Sequence, residues 1–86
     1  GMVSPLGVCT DDSDRVFIAD AGAQAVHVFD LSKQRYRQWT PPKDAPRFQQ
    51  PVAVAYDPAG RVLVSDSAEG AVFAFGTDGS FLGVLG

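Results

Sequence analysis

The 86-residue sequence contains few of the residues on which catalytic and metal sites depend. It has one Cys, one His and no Asn. One Cys cannot form an intrachain disulfide, and a single His with a single Cys offers few soft ligands to a metal. No G-x-S-x-G, H-E-x-x-H or P-loop motif occurs. The sequence therefore gives no support to a motif-defined hydrolase, metalloprotease or nucleotide-binding protein.

Positive charge is also scarce. Ten Asp and Glu residues against seven Lys and Arg residues give a formal net charge of −3 and a pI near 4.7. An acidic chain does not attract the phosphates of nucleic acids or an anionic lipid surface. We expect neither nucleic acid nor membrane as a partner. No feature of the sequence indicates a cellular compartment.

What the sequence does contain is an internal repeat. Residues 5–31 align without a gap to residues 51–77, an offset of 46 positions, and nine of the 27 aligned pairs are identical. Apolar residues of the two copies fall at the same positions, so we expect both copies to share one backbone. The identical pairs are Pro5/Pro51, Val8/Val54, Asp11/Asp57, Arg15/Arg61, Val16/Val62, Asp20/Asp66, Ala25/Ala71, Val26/Val72 and Phe29/Phe75.

Each copy has the pattern of an all-β meander. Short β-branched and aromatic runs are separated by clusters of Asp, Gly, Ser and Pro, and no stretch has a helical period. The pattern predicts eight strands, over residues 6–10, 15–19, 25–29, 34–39, 52–56, 61–65, 71–75 and 80–85.

A proline-rich segment, TPPKDAPRFQQ at residues 40–50, separates the copies. Its three prolines cannot donate to a strand ladder, so it is predicted to be a connector. Four antiparallel strands recurring at about 40 to 50 residues are typical of the blades of a β-propeller. We therefore predict two blades, residues 1–45 with the connecting loop and residues 46–86.

The order P-x-G-V, then D-x-x-x-R-V-x-[IV]-[AS]-D-[AS], then A-V-x-V-F-D resembles the NHL repeat in two copies. The first copy is the closer match. The second has Ala53 where glycine is usual and Gly76 where aspartate is usual, which we expect to weaken two local turns. The resemblance implies two blades of a propeller that has six blades when complete, and implies no particular function.

Two blades bury only one pair of faces and leave two apolar faces uncovered. Repeat units are stable only against neighbours, so the uncovered faces are expected to have partners. Self-association is the first expectation, with three chains closing a six-bladed ring as a homotrimer. The alternative is that the chain is part of a longer propeller.

Four residues could carry chemistry, and each is expected to be structural instead. His27, in the third strand, is predicted to be packed or partly exposed in a core-like position, and Cys9, in the innermost strand, to be a small apolar filler. Asp20 and Asp66 end the second strand of each copy and are predicted to cap backbone N–H groups of the following turn. No cofactor is expected.

Lys33, Arg35 and Arg37 alternate along the outermost strand of the first copy. Charge on an exposed edge strand protects it from edge-to-edge aggregation, and that is the favoured interpretation. The alternative is a grip on phosphate or on an acidic partner. Phe48 is expected to fill the junction between the blades.

Recognition is expected on one rim, formed by residues 21–24, 40–50 and 67–70, because these loops emerge on the same side of the meanders. We predict a non-catalytic module that binds a protein or a small ligand there. The alternatives are a fragment of a metal-dependent propeller lyase or lactonase, with its catalytic residues mostly on other blades, and a repeat unit without an independent role. The candidate binding residues are Gln24, Lys43, Arg47, Gln49, Gln50 and Glu69.

Overall fold

A computed structural model describes residues 5–85, and these residues form eight β-strands. Every predicted strand is confirmed to within one residue at each end. The strands are β1 (Pro5–Thr10), β2 (Arg15–Asp20), β3 (Ala25–Asp30), β4 (Arg35–Trp39), β5 (Pro51–Asp57), β6 (Arg61–Asp66), β7 (Ala71–Gly76) and β8 (Phe81–Leu85).

The strands form two four-stranded antiparallel meanders, in the orders β1-β2-β3-β4 and β5-β6-β7-β8. The predicted all-β fold is confirmed. The register of the second and third strands repeats at the offset of 46, since Phe17 lies opposite Val28 and Leu63 lies opposite Ala74. The last pairing differs, because β7 and β8 have an irregularity between Ala74 and Phe75 that β3 and β4 lack. Both sheets also have an irregularity at the start of the first strand, next to Pro5 and Pro51.

The core lies between the two sheets. Each sheet contributes one face to it, and the connector adds Phe48, which is 3% exposed and packs against Phe73 and Phe75. The prediction that Phe48 fills the blade junction is confirmed. The core cluster comprises Phe17, Ala19, Val26, Val28, Trp39, Phe48, Val54, Val62, Val64, Phe73 and Phe75.

Trp39 contacts aromatic side chains of both sheets. Its ring lies 5.3 Å from the Phe17 ring and 5.4 Å from the Phe75 ring, centroid to centroid. Aromatic pairs at this separation add a favourable contribution to that of buried area alone. Trp39 is the only tryptophan of the chain, so its fluorescence reports on the contact between the sheets.

The inner strands β1 and β5 approach each other closely at Gly7. A Cβ atom on Gly7 would lie 2.9 Å from the Cα of Ala53 and 2.9 Å from the carbonyl oxygen of Val52. The glycine position of this repeat therefore serves contact between blades. The expectation that Ala53 weakens a turn is wrong, because Ala53 lies within β5.

Gly76, the other departure from the repeat, precedes a turn that has its own carboxylate. Asp78 Oδ1 accepts hydrogen bonds from the backbone N–H and the hydroxyl of Ser80, at 3.0 and 2.7 Å. These two bonds lower the pKa of Asp78 from its ordinary value. In the first sheet, Asp30 holds the corresponding turn by accepting from Lys33 and Ser32.

Substitution of Gly7 by Ala should lower the free energy of unfolding by about 1 to 3 kcal/mol, because the new methyl group overpacks the contact between β1 and β5. Urea unfolding followed by Trp39 fluorescence measures the change. Ala53→Gly is the matched control, since it removes a methyl group from the partner strand. Equal midpoints for Gly7→Ala and wild type would show that the sheets do not approach at Gly7.

Candidate functional site

The connector, residues 40–50, contacts both of the loops with which it was predicted to share a rim. Gln24 donates from Nε2 to the carbonyl oxygen of Gln49 at 3.2 Å. The Ser67 hydroxyl donates to Oε1 of Gln50 at 3.0 Å, and its backbone N–H donates to the Gln50 carbonyl at 3.1 Å. The loops at 21–24 and 67–70 therefore lie on the same side of the molecule as the connector.

Asp66 fixes the connector to the second sheet. This buried carboxylate accepts the N–H groups of Ala68 and Glu69, at 3.1 and 3.0 Å, as predicted for a turn cap. It also accepts the N–H groups of Gln49 and Gln50, at 2.7 and 3.1 Å. Sequence reasoning missed the second pair, because no local pattern links an aspartate to residues 16 and 17 positions earlier.

A groove of about 310 Å³ opens on this rim. Three of the predicted binding residues, Gln24, Lys43 and Arg47, line it, with Phe48 and the two connector prolines Pro41 and Pro42. Within residues 5–85, neither cationic side chain has a carboxylate at salt-bridge distance. The groove thus carries two positive charges that form no salt bridge with the residues the structure describes.

A second, shallower cavity of about 510 Å³ lies beside it on the same rim. Gln49 and Gln50 line it, together with Leu6, Ala21, Gly22 and Ala68. Glu69 is exposed near Asp66 but lines neither cavity. The role of all six residues in binding stays a prediction.

His27 is fully buried, which agrees with the prediction of a packed histidine. Its Nε2 lies 2.7 Å from Oδ2 of Asp20, and its Nδ1 lies 2.5 Å from the hydroxyl of Tyr36. Asp20 also accepts the N–H of Ala23 at 3.0 Å, as predicted for a cap. Both ring nitrogens of the histidine are therefore occupied by side chains of its own sheet.

The Tyr36–His27–Asp20 chain was not predicted from the sequence. In the second copy, Phe73 stands at the position of His27 and Leu82 at that of Tyr36. The paired replacement of both polar residues by apolar ones was the signal that could have revealed their contact.

Cys9 lies in the edge strand β1 and packs against the core cluster. Burial, with a smaller contribution from the Asp11 carboxylate, raises the pKa of its thiol. A raised pKa keeps the sulfur protonated at neutral pH, and a protonated thiol is a poor nucleophile. These properties agree with the predicted apolar filler.

Arg15, which the sequence analysis did not group with the cations of the outer strand, lines the same cavity as they do. Arg35 and Arg37 point to the same face of β4 as Trp39, while Lys33 lies in the preceding turn. Together with Arg15 they line a cavity of about 200 Å³ between the two sheets. Arg15 also donates to the carbonyl oxygen of Thr77 at 2.9 Å, which ties the two sheets together at this end.

Two repeated four-stranded meanders that pack face to face through apolar side chains define a pair of β-propeller blades. Residues 2–29 match the family model of the NHL repeat, so the resemblance predicted from the sequence is confirmed for the first unit. No curated protein matched the chain.

Two further observations concern ligands and membranes. Residues 5–85 hold no group of three or more His, Cys, Asp or Glu side chains placed to bind a metal ion. The same residues include no helix that could cross a lipid bilayer.

Replacing His27 with Phe, the residue of the second copy, should lower the free energy of unfolding by about 1 to 3 kcal/mol, because Asp20 and Tyr36 both lose a buried hydrogen-bond partner. Binding at the rim should be unaffected. Chemical denaturation measures the first effect, with Tyr36→Phe as a control that removes one hydroxyl only and costs less. A variant as stable as wild type would show that the hydrogen bonds of His27 to Asp20 and Tyr36 contribute nothing to the stability of the fold.

Proposed function

We propose that the chain is a non-catalytic NHL-type propeller module whose rim groove binds a ligand that carries carboxylates, either an acidic segment of a protein or a small organic acid. The observation that supports this most directly is the pair of cations, Lys43 and Arg47, in the same 310 Å³ groove, neither of which forms a salt bridge within residues 5–85.

The groove has the parts that a carboxylate site needs. The guanidinium of Arg47 can take a carboxylate with two parallel hydrogen bonds, and Lys43 adds a mobile point charge. The amide of Gln24 supplies further hydrogen bonding at the edge. Pro41 and Pro42 stiffen the wall of the groove, which lowers the entropy lost on binding.

Binding is favoured over catalysis because the side chains with catalytic potential already have structural partners. His27 uses both ring nitrogens within the first sheet, and Asp66 accepts four backbone N–H groups. Cys9 has a raised pKa. The alternative, a fragment of a metal-dependent lyase or lactonase, would need its catalytic residues from other blades.

The proposal is tested with a fluorescein-labelled hexaglutamate peptide, whose binding is followed by fluorescence anisotropy at low salt. Hexaglutamine is the matched peptide without charge. We expect hexaglutamate to bind and hexaglutamine not to bind, and we expect the double substitution Lys43→Gln/Arg47→Gln to weaken binding about tenfold or more, as two charge-assisted contacts imply.

The control variant is Lys33→Gln/Arg35→Gln, which removes the same charge from the cavity between the sheets. If both double variants weaken binding equally, the attraction is a general charge effect and the rim groove is not the site. If hexaglutamate does not bind wild type at all, the proposed carboxylate specificity is wrong.

A further inference from the structure

We propose that a second copy of this chain docks on it head to tail, with the outer face of the second sheet of one copy against the outer face of the first sheet of the next. The inference follows from the internal repeat and is independent of the rim groove. It specifies the self-association expected from the sequence as one interface with named residues.

The contact between the two sheets within one chain is the template for this interface. Residues opposite each other on paired strands share a face, which assigns every core side chain of the strands to one of two faces. We call the face of the first sheet with Phe17, Val26 and Trp39 its forward face. The face of the second sheet with Val54, Val62, Val64 and Phe73 is its backward face, and the two pack together in the core.

Each sheet also has an outer face, and the offset of 46 identifies the residues on it that correspond to the core residues of the other sheet. The forward face of the second sheet carries Leu63, Val72 and Leu85, at the positions of Phe17, Val26 and Trp39. The backward face of the first sheet carries Val8, Val16 and Ile18, at the positions of Val54, Val62 and Val64. The forward face of the second sheet is mainly apolar, whereas the backward face of the first sheet also carries the hydrogen-bonded Tyr36, His27 and Asp20. The apolar part of each face chemically matches the pair of faces that already packs within the chain.

Exposure shows that part of each outer face is uncovered. Val54 is 8% exposed, whereas Val8 at the same position of the first sheet is 64% exposed. Trp39 is 7% exposed, whereas Leu85 at the same position of the second sheet is 53% exposed. Each of the two outer faces therefore has a large apolar side chain that is half or more exposed, and exposed apolar surface favours association.

Arg15 and Arg61 show the same difference between a position that is covered within the chain and its uncovered counterpart. Arg15 is held by Asp11 and donates across the sheet interface to the carbonyl oxygen of Thr77. Arg61 is held by Asp57 in the same way, but its side chain is 48% exposed against 25% for Arg15. The repeat assigns Arg61 the carbonyl oxygen of Leu31 in the next copy, at the position of Thr77.

One position makes the new interface different from its template. Gly7 allows the close approach of β1 to β5, and its counterpart in the second sheet is Ala53. The methyl group of Ala53 would meet the backbone of the next copy if the approach were equally close. The inner strands must therefore stand farther apart between copies than within one chain.

A head-to-tail contact uses two different surfaces of each copy, so it continues until the ring closes. If the complete ring has the six blades that the NHL resemblance implies, three copies close it. We therefore expect the wild-type chain to be a homotrimer in analytical ultracentrifugation and native mass spectrometry. A wild-type chain that stays monomeric at high micromolar concentration overturns the proposal.

Two single variants test the interface. Val72→Asp damages only the forward face of the second sheet, and Val8→Asp damages only the backward face of the first. Each would bury an unpaired carboxylate at the contact between copies, so each should make the chain a monomer. Ala68→Asp, which adds the same charge to an exposed residue of the rim, should leave the homotrimer intact.

Mixing the two variants distinguishes head-to-tail docking from any other self-association. The mixture retains one undamaged pair of faces, because Val8→Asp has an intact second sheet and Val72→Asp an intact first sheet. It should form a 1:1 heterodimer and nothing larger. If the mixture stays monomeric although both variants show wild-type Trp39 fluorescence, the faces do not pair as proposed.

Arg61→Gln provides a test that does not alter the apolar faces, since its side chain is largely exposed. Loss of the charged donor should raise the dissociation constant of the assembly about tenfold. An unchanged dissociation constant would rule out the contact with Leu31. If Val72→Asp and Val8→Asp fail to fold, the wild-type mass and this variant still decide the proposal.

Discussion

Burial of sheet faces against each other is the interaction on which this structure depends. A four-stranded meander with apolar residues on both faces cannot bury either face alone, so each sheet is stable only beside another. Phe17, Val26 and Trp39 of the first sheet lie against Phe73 and Phe75 of the second, and the connector adds Phe48 to the same core. Gly7 is required because the sheets meet through backbone as well as side chains at their inner edge.

Differences between the two copies separate structure from specialisation. Both copies have an aspartate cap after the second strand, in Asp20 and Asp66. In the first copy this carboxylate contacts the buried His27, and in the second copy, where Phe73 replaces the histidine, it accepts N–H groups of the connector. The contact with Asp66 holds the connector, and other connector residues line the rim groove.

Local features of the fold could be predicted from the sequence, and long-range ones could not. Alternating apolar residues and Asp-rich or Gly-rich turns fix strand limits, and the offset of 46 fixes the correspondence of the sheets. The bond from Gln49 to Asp66 depends on how distant segments meet, which no local pattern encodes. The contact of Tyr36 with His27 joins neighbouring strands, and the comparison of the two copies was the only sequence signal for it. The inclusion of Arg15 in the cavity between the sheets depends on distant segments too. Arg15 and Thr77 are 62 residues apart in the chain and meet because the two sheets pack together.

The proposed homotrimer would strengthen binding at the proposed rim site, because it would repeat the connector around the ring. The connector occurs once per chain, and Asp66 fixes it to the second sheet. A closed homotrimer would therefore present three rim grooves on one side, separated by loops that lack the Lys43 and Arg47 pair. Because exposed charged contacts are individually weak, one groove would hold a carboxylate ligand loosely. Three grooves in fixed positions would bind a partner with repeated acidic segments far more tightly than a single groove binds one segment, since each contact after the first becomes intramolecular.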